Sequence, residues 1–211
     1  MQASCMHLSR PRLSINRTKT SPVQAHAVPG LSGSVLSSPG TVFHYKTLHV
    51  DTAKGVNLVD ITPSIREEIA AIGLQEGFVN VLSRHTTTAV TINENEARLM
   101  DDVRQWLRRL APPSDPYLHN DLHLREAPQG WPGGHAAWVK QEPENAHSHL
   151  LSMMLGNTLT VPVSGGKLAL GTWQSVLLVE LDGPRPRTVG VQLVGHAATP
   201  GAVGAAPSTK K

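Results

Sequence analysis

The stretch TLTVPVSGGKLALGTWQSVLLVELDGPRPRTVGVQLV, residues 158–194, decides the fold that this sequence predicts. Apolar and β-branched residues fill four short segments of it, which is the composition of buried strands. The tripeptides Ser164-Gly165-Gly166 and Asp182-Gly183-Pro184 supply turns that join these segments. We therefore expect four strands in this stretch, which are Thr158–Val163, Lys167–Leu170, Trp173–Leu181 and Thr188–Val194.

The same kinds of pattern continue toward the amino terminus and predict further strands and helices. Thr62 is expected to cap a first helix that ends before Gly73, because the residues after it have the spacing of a capping box. Another helix is expected over Ala146–Leu155, closed by Gly156. The additional predicted strands are residues 41–50, Val56–Ile61, Phe78–Leu82 and Thr86–Ile92.

A helix is also expected between the turn Asn93-Glu94-Asn95 and the helix-breaking pair Pro112-Pro113. Apolar residues recur along it at helical spacing, and Trp106 is one of them. We therefore expect Trp106 in the core. The following residues, 114–144, are rich in proline and predict an irregular loop, which at this length is usually functional or disordered.

The first 40 residues have the composition of an organellar transit peptide. They contain four basic residues scattered among Ser and Thr, and the first acidic residue of the chain is Asp51. We expect residues 1–40 to be a disordered leader, 41–195 to form one domain, and the Ala/Gly/Pro-rich residues 196–211 to be a disordered tail. The Ser-rich leader favours the plastid, with the mitochondrion as the alternative.

Charge and composition exclude several classes of partner and site. Removing the leader takes away four positive charges and no negative ones, which turns the net charge of +3 into −1. A domain without excess positive charge is not expected to bind nucleic acid. The sequence contains no run of about 18 apolar residues, so a membrane partner is not expected. Cys5 is the only cysteine, so a metal in the domain would need His and carboxylate ligands.

Three histidines in separate segments are candidates for one site. His85 follows an apolar strand and precedes Thr86, so both are expected at a strand end that opens into a cleft. His119 lies in the long loop, where Asp121 could act as a ligand or orient an imidazole. His149 lies in the first turn of the predicted helix 146–155. For each histidine the alternative is a structural role, held by a hydrogen bond.

The start of that helix offers two further chemical possibilities. His147 lies two residues from His149, so in a helix the two rings point in different directions and cannot both bind one metal. The free N–H groups near Asn145 favour an anion, so a phosphate there is an alternative to a metal. One of the two histidines is therefore expected to support the site indirectly or to be incidental to it.

Polar residues that follow the strands of residues 158–194 complete the predicted site. Gln174, in Gly171-Thr172-Trp173-Gln174, offers both a donor and an acceptor. Arg185 and Arg187 alternate around a proline, so their side chains are expected to project the same way, toward a phosphate or carboxylate. The alternative is a solvated turn with surface arginines. We expect the three imidazoles to converge with the Trp-Gln segment in one pocket.

Several motifs together resemble the YjbQ-like family, whose members are often described as secondary thiamine-phosphate synthases. The resemblance covers roughly residues 45–195, in the expected order. Its motifs are Ser83-Arg84-His85-Thr86-Thr87, Ile92-Asn93-Glu94-Asn95, His119-Asn120-Asp121, Asn145-Ala146-His147-Ser148-His149, Gly171-Thr172-Trp173-Gln174 and Glu180-Leu181-Asp182-Gly183-Pro184-Arg185. The insertion around Gln129–Trp138 departs from the shorter family pattern.

The resemblance implies an α+β fold: a compact sandwich of mainly antiparallel strands with two or three helices, assembled as a homotrimer. It also implies condensation of a hydroxymethylpyrimidine diphosphate with a thiazole phosphate. His85, His119 and His149 would then hold a divalent metal, zinc or magnesium, or donate protons. The supporting catalytic residues would be Asp121 and Glu94, and the substrate-binding residues Thr86, Asn93, Asn145, Gln174, Glu180, Arg185 and Arg187.

An alternative function is a trimeric metal- or phosphate-binding protein with no role in thiamine synthesis. Magnesium, which serves most diphosphate chemistry, prefers oxygen ligands, whereas three histidines suit zinc or another transition metal. In both alternatives the expected partner is a small phosphorylated molecule.

Overall fold

The computed structural model describes residues 40–197 of the chain. The predicted leader, up to residue 39, and residues 198–211 of the predicted tail lie outside this range. The helices are α1 (Thr62–Ile72), α2 (Ala97–Leu110), α3 (Gly134–Val139) and α4 (Ala146–Leu155). The strands are β1 (Thr41–Asp51), β2 (Gly55–Asp60), β3 (Leu74–Ser83), β4 (Thr88–Asn93), β5 (Thr158–Ser164), β6 (Lys167–Leu168), β7 (Ser175–Gly183) and β8 (Pro186–Ala197).

The strands form two antiparallel sheets that pack face to face. One sheet has the order β1-β8-β3-β5-β6 and the other the order β2-β7-β4. Val79 and Val191 of the larger sheet belong to the same buried cluster as Val176 and Leu178 of the smaller one. Alternating residues of the strands thus point into a shared core, as in a sandwich. The predicted α+β sandwich of mainly antiparallel strands is confirmed.

Helices α2 and α4 cover the other face of the smaller sheet. Leu107 of α2 and Leu151 of α4 pack in one buried cluster with Ala89 and Val179, whose side chains leave β4 and β7 on the side away from the main core. The sheet β2-β7-β4 is therefore buried on both faces, which explains the unbroken apolar run in β7. No helix within residues 40–197 is long and apolar enough to cross a membrane.

The structure has four α-helices where the sequence predicted two or three. The additional helix is α3, which lies in the region 114–144 that was predicted to be irregular. Two short 3₁₀ turns, Leu118–Asn120 and Leu122–Leu124, lie in the same region. Each of these pieces is six residues or shorter, too short for a hydrophobic period to reveal it.

Most strand ends differ from the prediction by a few residues, and two of them bear on the predicted site and tail. Strand β7 begins at Ser175, because Gln174 closes a turn in which its Oε1 accepts the N–H of Gly171 at 2.8 Å. Strand β8 continues through Ala197 and so includes two residues assigned to the tail. At the first helix, the carboxylate of Asp60 accepts the Thr62 N–H at 2.9 Å, so the predicted cap at Thr62 is wrong.

The prediction that Trp106 lies in the core is wrong, since the side chain is 48% exposed. The next residue, Leu107, is 1% exposed. One residue along a helix is a rotation of about 100°, so only one of the two can face the sheet.

We expect Leu107→Ala to lower the free energy of unfolding by about 2–5 kcal/mol. Trp106→Ala serves as the matched control and should cost less than about 1 kcal/mol; urea unfolding measures both, and equal losses would contradict this orientation.

Candidate functional site

The residues that the sequence assigned to one site lie at opposite ends of the smaller sheet. In the β4–β7 register, Thr88 lies opposite Glu180 and Asn93 lies opposite Ser175. Five strand residues span about 17 Å. The turn ending at Gln174 therefore lies at one end of the sheet, while the residues around Thr88 and Glu180 lie at the other.

His119 and His149 meet at the Thr88 end of the sheet. Their ring centroids are 4.9 Å apart and their planes are inclined at 71°, so one ring presents its edge to the other. A cleft of about 370 Å³ is lined by His149 of this pair, and we call it the histidine cleft. Its lining residues are Thr86, His149, Ser152, Met153, Gly156 and Asn157.

Two buried serines attach α4, and with it His149, to the smaller sheet. The hydroxyl of Ser148 donates to the carbonyl oxygen of Leu181 at 2.6 Å. The hydroxyl of Ser152, one turn later, donates to the carbonyl oxygen of Thr88 at the same distance. Residues four apart share a helix face, so both anchors lie on the side that faces the sheet. They fix the direction in which His149 projects.

The segment that carries His119 is attached to α4 from the other side. The Oδ1 atom of Asn120 accepts the N–H of Ala146 at 3.1 Å, which satisfies one of the free N–H groups in the first turn of α4. Arg125 donates to the carbonyl oxygen of His119 at 3.1 Å and forms an ion pair with Glu142 at 3.2 Å. The region 114–144 thus holds His119 against the helix that carries His149.

Burial lowers the pKa of His119 below its ordinary value, and the charge of Arg125 and the neighbouring His149 lower it further. Glu142 opposes the shift. A lowered pKa leaves the ring neutral near pH 7, with one nitrogen able to donate and the other able to accept. His119 can therefore both donate and accept a hydrogen bond at this position.

His85 has a different environment from this pair. Its Nε2 atom accepts the backbone N–H of Thr188 at 3.0 Å, and the Thr188 hydroxyl lies 3.1 Å from the same nitrogen. Burial, followed by the charge of Arg187, lowers the pKa of His85. The ring is thus neutral with its proton on Nδ1, and Nε2 is already occupied. Its neighbour Thr86 lines the histidine cleft.

Glu180 and Arg187 form a buried ion pair between the two sheets. Arg187 contacts the carboxylate through Nε at 2.5 Å and Nη2 at 2.6 Å, and the side chains are 0% and 5% exposed. The carboxylate also accepts from Thr52 and from two backbone N–H groups, while Arg187 donates to Thr87. Burial tends to raise the pKa of Glu180, but these hydrogen bonds and the arginine charge outweigh it and lower the pKa.

The prediction that Arg185 and Arg187 project the same way is wrong. Arg185 forms an ion pair with Asp182 at 3.0 Å and is partly exposed, whereas Arg187 is buried against Glu180. Arg185 lies in the connection between β7 and β8, whereas Arg187 is the second residue of β8, so strand alternation does not relate the two directions. Asn145 joins the exposed pair, since its Nδ2 donates to Asp182 at 2.8 Å.

The remaining predicted site residues are distributed over both ends of the sheet. Asp121 lies between the two 3₁₀ turns, two residues after His119. Asn93 and Glu94 lie at the far end of β4 with Gln174, and Trp173 is 72% exposed there. The expectation that the Trp-Gln segment and three imidazoles converge in one pocket is therefore wrong within this chain.

His147 and His149 point to different places, as the helix geometry predicted. His149 lines the histidine cleft, whereas His147 lines a second cleft of about 170 Å³ on another side of α4. Burial lowers the pKa of His147, with Asp182 opposing and His149 adding to the shift.

The described part of the chain does not by itself provide a complete metal site. No group of three or more His, Cys, Asp or Glu residues within 40–197 has the geometry to hold a metal ion. His119 and His149 are two nitrogen ligands, whereas structural and catalytic zinc sites take at least three from the protein. The three-histidine ligand set therefore does not fit within one chain.

Sequence reasoning missed the residues that position the pair. Ser148 and Ser152 are polar positions four apart in an apolar helix, and this spacing could have indicated a buried anchoring face. Arg125 and Asn120 gave no such signal, because their partners are 6 to 26 residues away. Met153 and Asn157 became candidates only through the shape of the cleft.

Comparisons with known proteins agree with this architecture. The family model described as "UPF0047 protein YjbQ-like" matches residues 46–196. A UPF0047 protein of Methanothermobacter thermautotrophicus is 38% identical over 148 residues, which cover 70% of this chain and 90% of that protein. The protein YugU of Bacillus subtilis is 31% identical over 150 residues, covering 71% of this chain and 98% of YugU.

Solved structures show the same fold. A protein of unknown function from Sulfolobus solfataricus has a TM-score of 0.62 and 32% identity, covering 74% of this chain and 99% of its own. A hypothetical protein from Aeropyrum pernix has a TM-score of 0.60 and 35% identity, covering 72% and 99%. With its two-sheet fold and a family match over most of the described residues, the chain belongs to the YjbQ-like UPF0047 family.

Proposed function

We propose that this protein is a small-molecule transferase that binds a phosphorylated heterocycle in the histidine cleft. One observation carries the proposal: two imidazoles from distant segments meet edge to face, and one of them, that of His149, lines a cleft of about 370 Å³. Clefts of this size are typical of small-molecule sites. The lining combines Thr86 and Asn157, which can donate and accept, with the apolar side chain of Met153.

The proposed reaction is of the thiamine-phosphate synthase type. The bond between the pyrimidine methylene carbon and the diphosphate oxygen breaks, and its electron pair leaves with the diphosphate. The ring nitrogen of the thiazole phosphate forms the new carbon–nitrogen bond. His119 and His149 would donate hydrogen bonds or a proton to the leaving diphosphate, because a nearby anion stabilises a charged imidazole.

A second candidate is a metal- or phosphate-binding protein with no role in thiamine synthesis. It is favoured because both arginines that were assigned to the diphosphate already form ion pairs with carboxylates of the chain. Arg187 is neutralised by Glu180, and Arg185 is paired with Asp182. Diphosphate transfer generally relies on free cations or metal ions to stabilise the leaving group.

A direct assay distinguishes the two candidates. The purified full chain is incubated with hydroxymethylpyrimidine diphosphate and thiazole phosphate, in separate samples with magnesium or zinc, and thiamine phosphate is quantified by chromatography. The first candidate predicts product in proportion to protein, with one diphosphate released per product. Saturable binding of inorganic phosphate without turnover, measured by calorimetry, would favour the second, and elemental analysis would identify any bound metal.

The homotrimer remains a proposal that one surface feature supports. Phe43 and Phe78 both lie opposite Val194 on the outer face of the larger sheet, and they are 48% and 42% exposed. An apolar face of this kind is commonly covered by a second subunit. Light scattering of the purified chain would measure the number of subunits.

The plastid or mitochondrial location likewise remains a prediction from the leader.

A further inference from the structure

A second cleft, separate from the histidine cleft, lies between α2, β2 and α4. Its volume is about 170 Å³, and we call it the Arg108 cleft. Most of its wall is apolar, and the polar side chains that line it are those of Arg108 and His147. The lining residues are Gly55, Val56, Arg108, Ala111, Pro113, His147, Leu151 and Leu181.

Arg108 brings a positive charge to this cleft. Within residues 40–197 it forms no ion pair, unlike Arg104, which pairs with Asp101 on the same helix. The Nη2 atom of Arg108 lies 3.6 Å from the position that a Cβ on Gly55 would take. The guanidinium thus extends across the glycine at the edge of the cleft. Arg108 is an exposed residue, so its guanidinium is open to a ligand that enters from solvent, and a carboxylate is the natural partner for it.

His147 contributes a second hydrogen-bonding group from α4. Its Nδ1 atom is buried and has no hydrogen-bond partner among the described residues. A buried polar atom without a partner costs about 1–3 kcal/mol. A ligand oxygen or hydroxyl brought through the cleft to this ring would recover that cost.

We propose that the Arg108 cleft binds a short aliphatic monocarboxylate. The carboxylate would pair with Arg108 and reach the imidazole of His147, and the hydrocarbon chain would lie against Val56, Leu151 and Leu181. One cation matches one negative charge, and the apolar wall favours an organic acid over inorganic phosphate. The site is independent of the proposed transferase chemistry, which uses the other side of α4.

A titration of the full chain with sodium butyrate tests the proposal. Leucine and valine methyl groups are labelled with ¹³C, and their NMR shifts are followed at constant ionic strength. Saturable shifts are expected at Val56, Leu151 and Leu181. Arg108→Gln should weaken binding at least about tenfold, because it removes a charge-assisted hydrogen bond. Arg109 is also exposed but does not line the cleft, so Arg109→Gln should bind butyrate within about twofold of the wild type.

Three outcomes would overturn the proposal: no saturable shift, equal weakening by Arg109→Gln, or the same shifts with inorganic phosphate. His149→Ala separates this site from the histidine cleft, since it should bind butyrate like the wild type even if it loses transferase activity. Loss of butyrate binding in His149→Ala would also count against an independent site.

Discussion

Arg187→Met is expected to lower the free energy of unfolding by about 3–5 kcal/mol, because it leaves the carboxylate of Glu180 buried without its counter-charge. The carboxylate is 0% exposed and accepts two hydrogen bonds from the arginine. Water cannot replace those donors without opening the junction between the sheets. Urea unfolding at pH 7, followed by circular dichroism, measures the loss.

Arg185→Met is the matched control for this prediction. Arg185 lies two residues away and also forms an ion pair, but its side chain is 42% exposed. Exposed pairs contribute about 0–1 kcal/mol, so the control should lose little stability. Equal losses in the two variants would show that burial of the Glu180 pair is not what stabilises this junction.

The same ion pair predicts how stability depends on pH. The folded-state pKa of Glu180 is lower than its ordinary value of 4.5. The contribution of this group to stability is therefore complete above about pH 4.5 and is lost as the pH falls from there through the folded-state pKa. Wild-type stability should decline with acid in this window, and Glu180→Gln should show a weaker decline. An unchanged pH dependence in Glu180→Gln would contradict this assignment.

His149→Ala is expected to reduce the proposed transferase activity by about 10²–10⁴-fold, which is typical of losing a general acid or base. The fold should survive, because α4 is anchored by Ser148 and Ser152 rather than by this ring. His147→Ala, on the same helix but lining the other cleft, should retain most of the activity. Turnover and melting temperature of the two variants, measured side by side, check the prediction.

Equal losses of activity in both histidine variants would contradict the assignment of the two rings to different clefts. A large fall in the melting temperature of His149→Ala would instead assign the ring a structural role. If His119→Ala lost activity as His149→Ala does, the contact between the two rings would be supported as the functional unit.

The sequence alone determined the eight strands, the three longer helices and their order, but not α3 or the two 3₁₀ turns. The apolar run of β7 and the glycine-closed helix α4 are local patterns, and local patterns are set by backbone propensity and side-chain period. Helix geometry also separated His147 from His149 without any coordinates. These features depend on residues within a few positions of one another, so one sequence is enough to find them.

Only the tertiary structure decided which polar residues meet. The register of β4 on β7 places Gln174 about 17 Å from the histidine end of the sheet, and the crossing between sheets pairs Arg187 with Glu180 rather than with a ligand. Hydrogen bonds made by Asn120 and Arg125 hold the segment that carries His119 so that its ring contacts that of His149. Strand register and long-range packing depend on residues that are far apart in the chain, so no local sequence pattern predicts them.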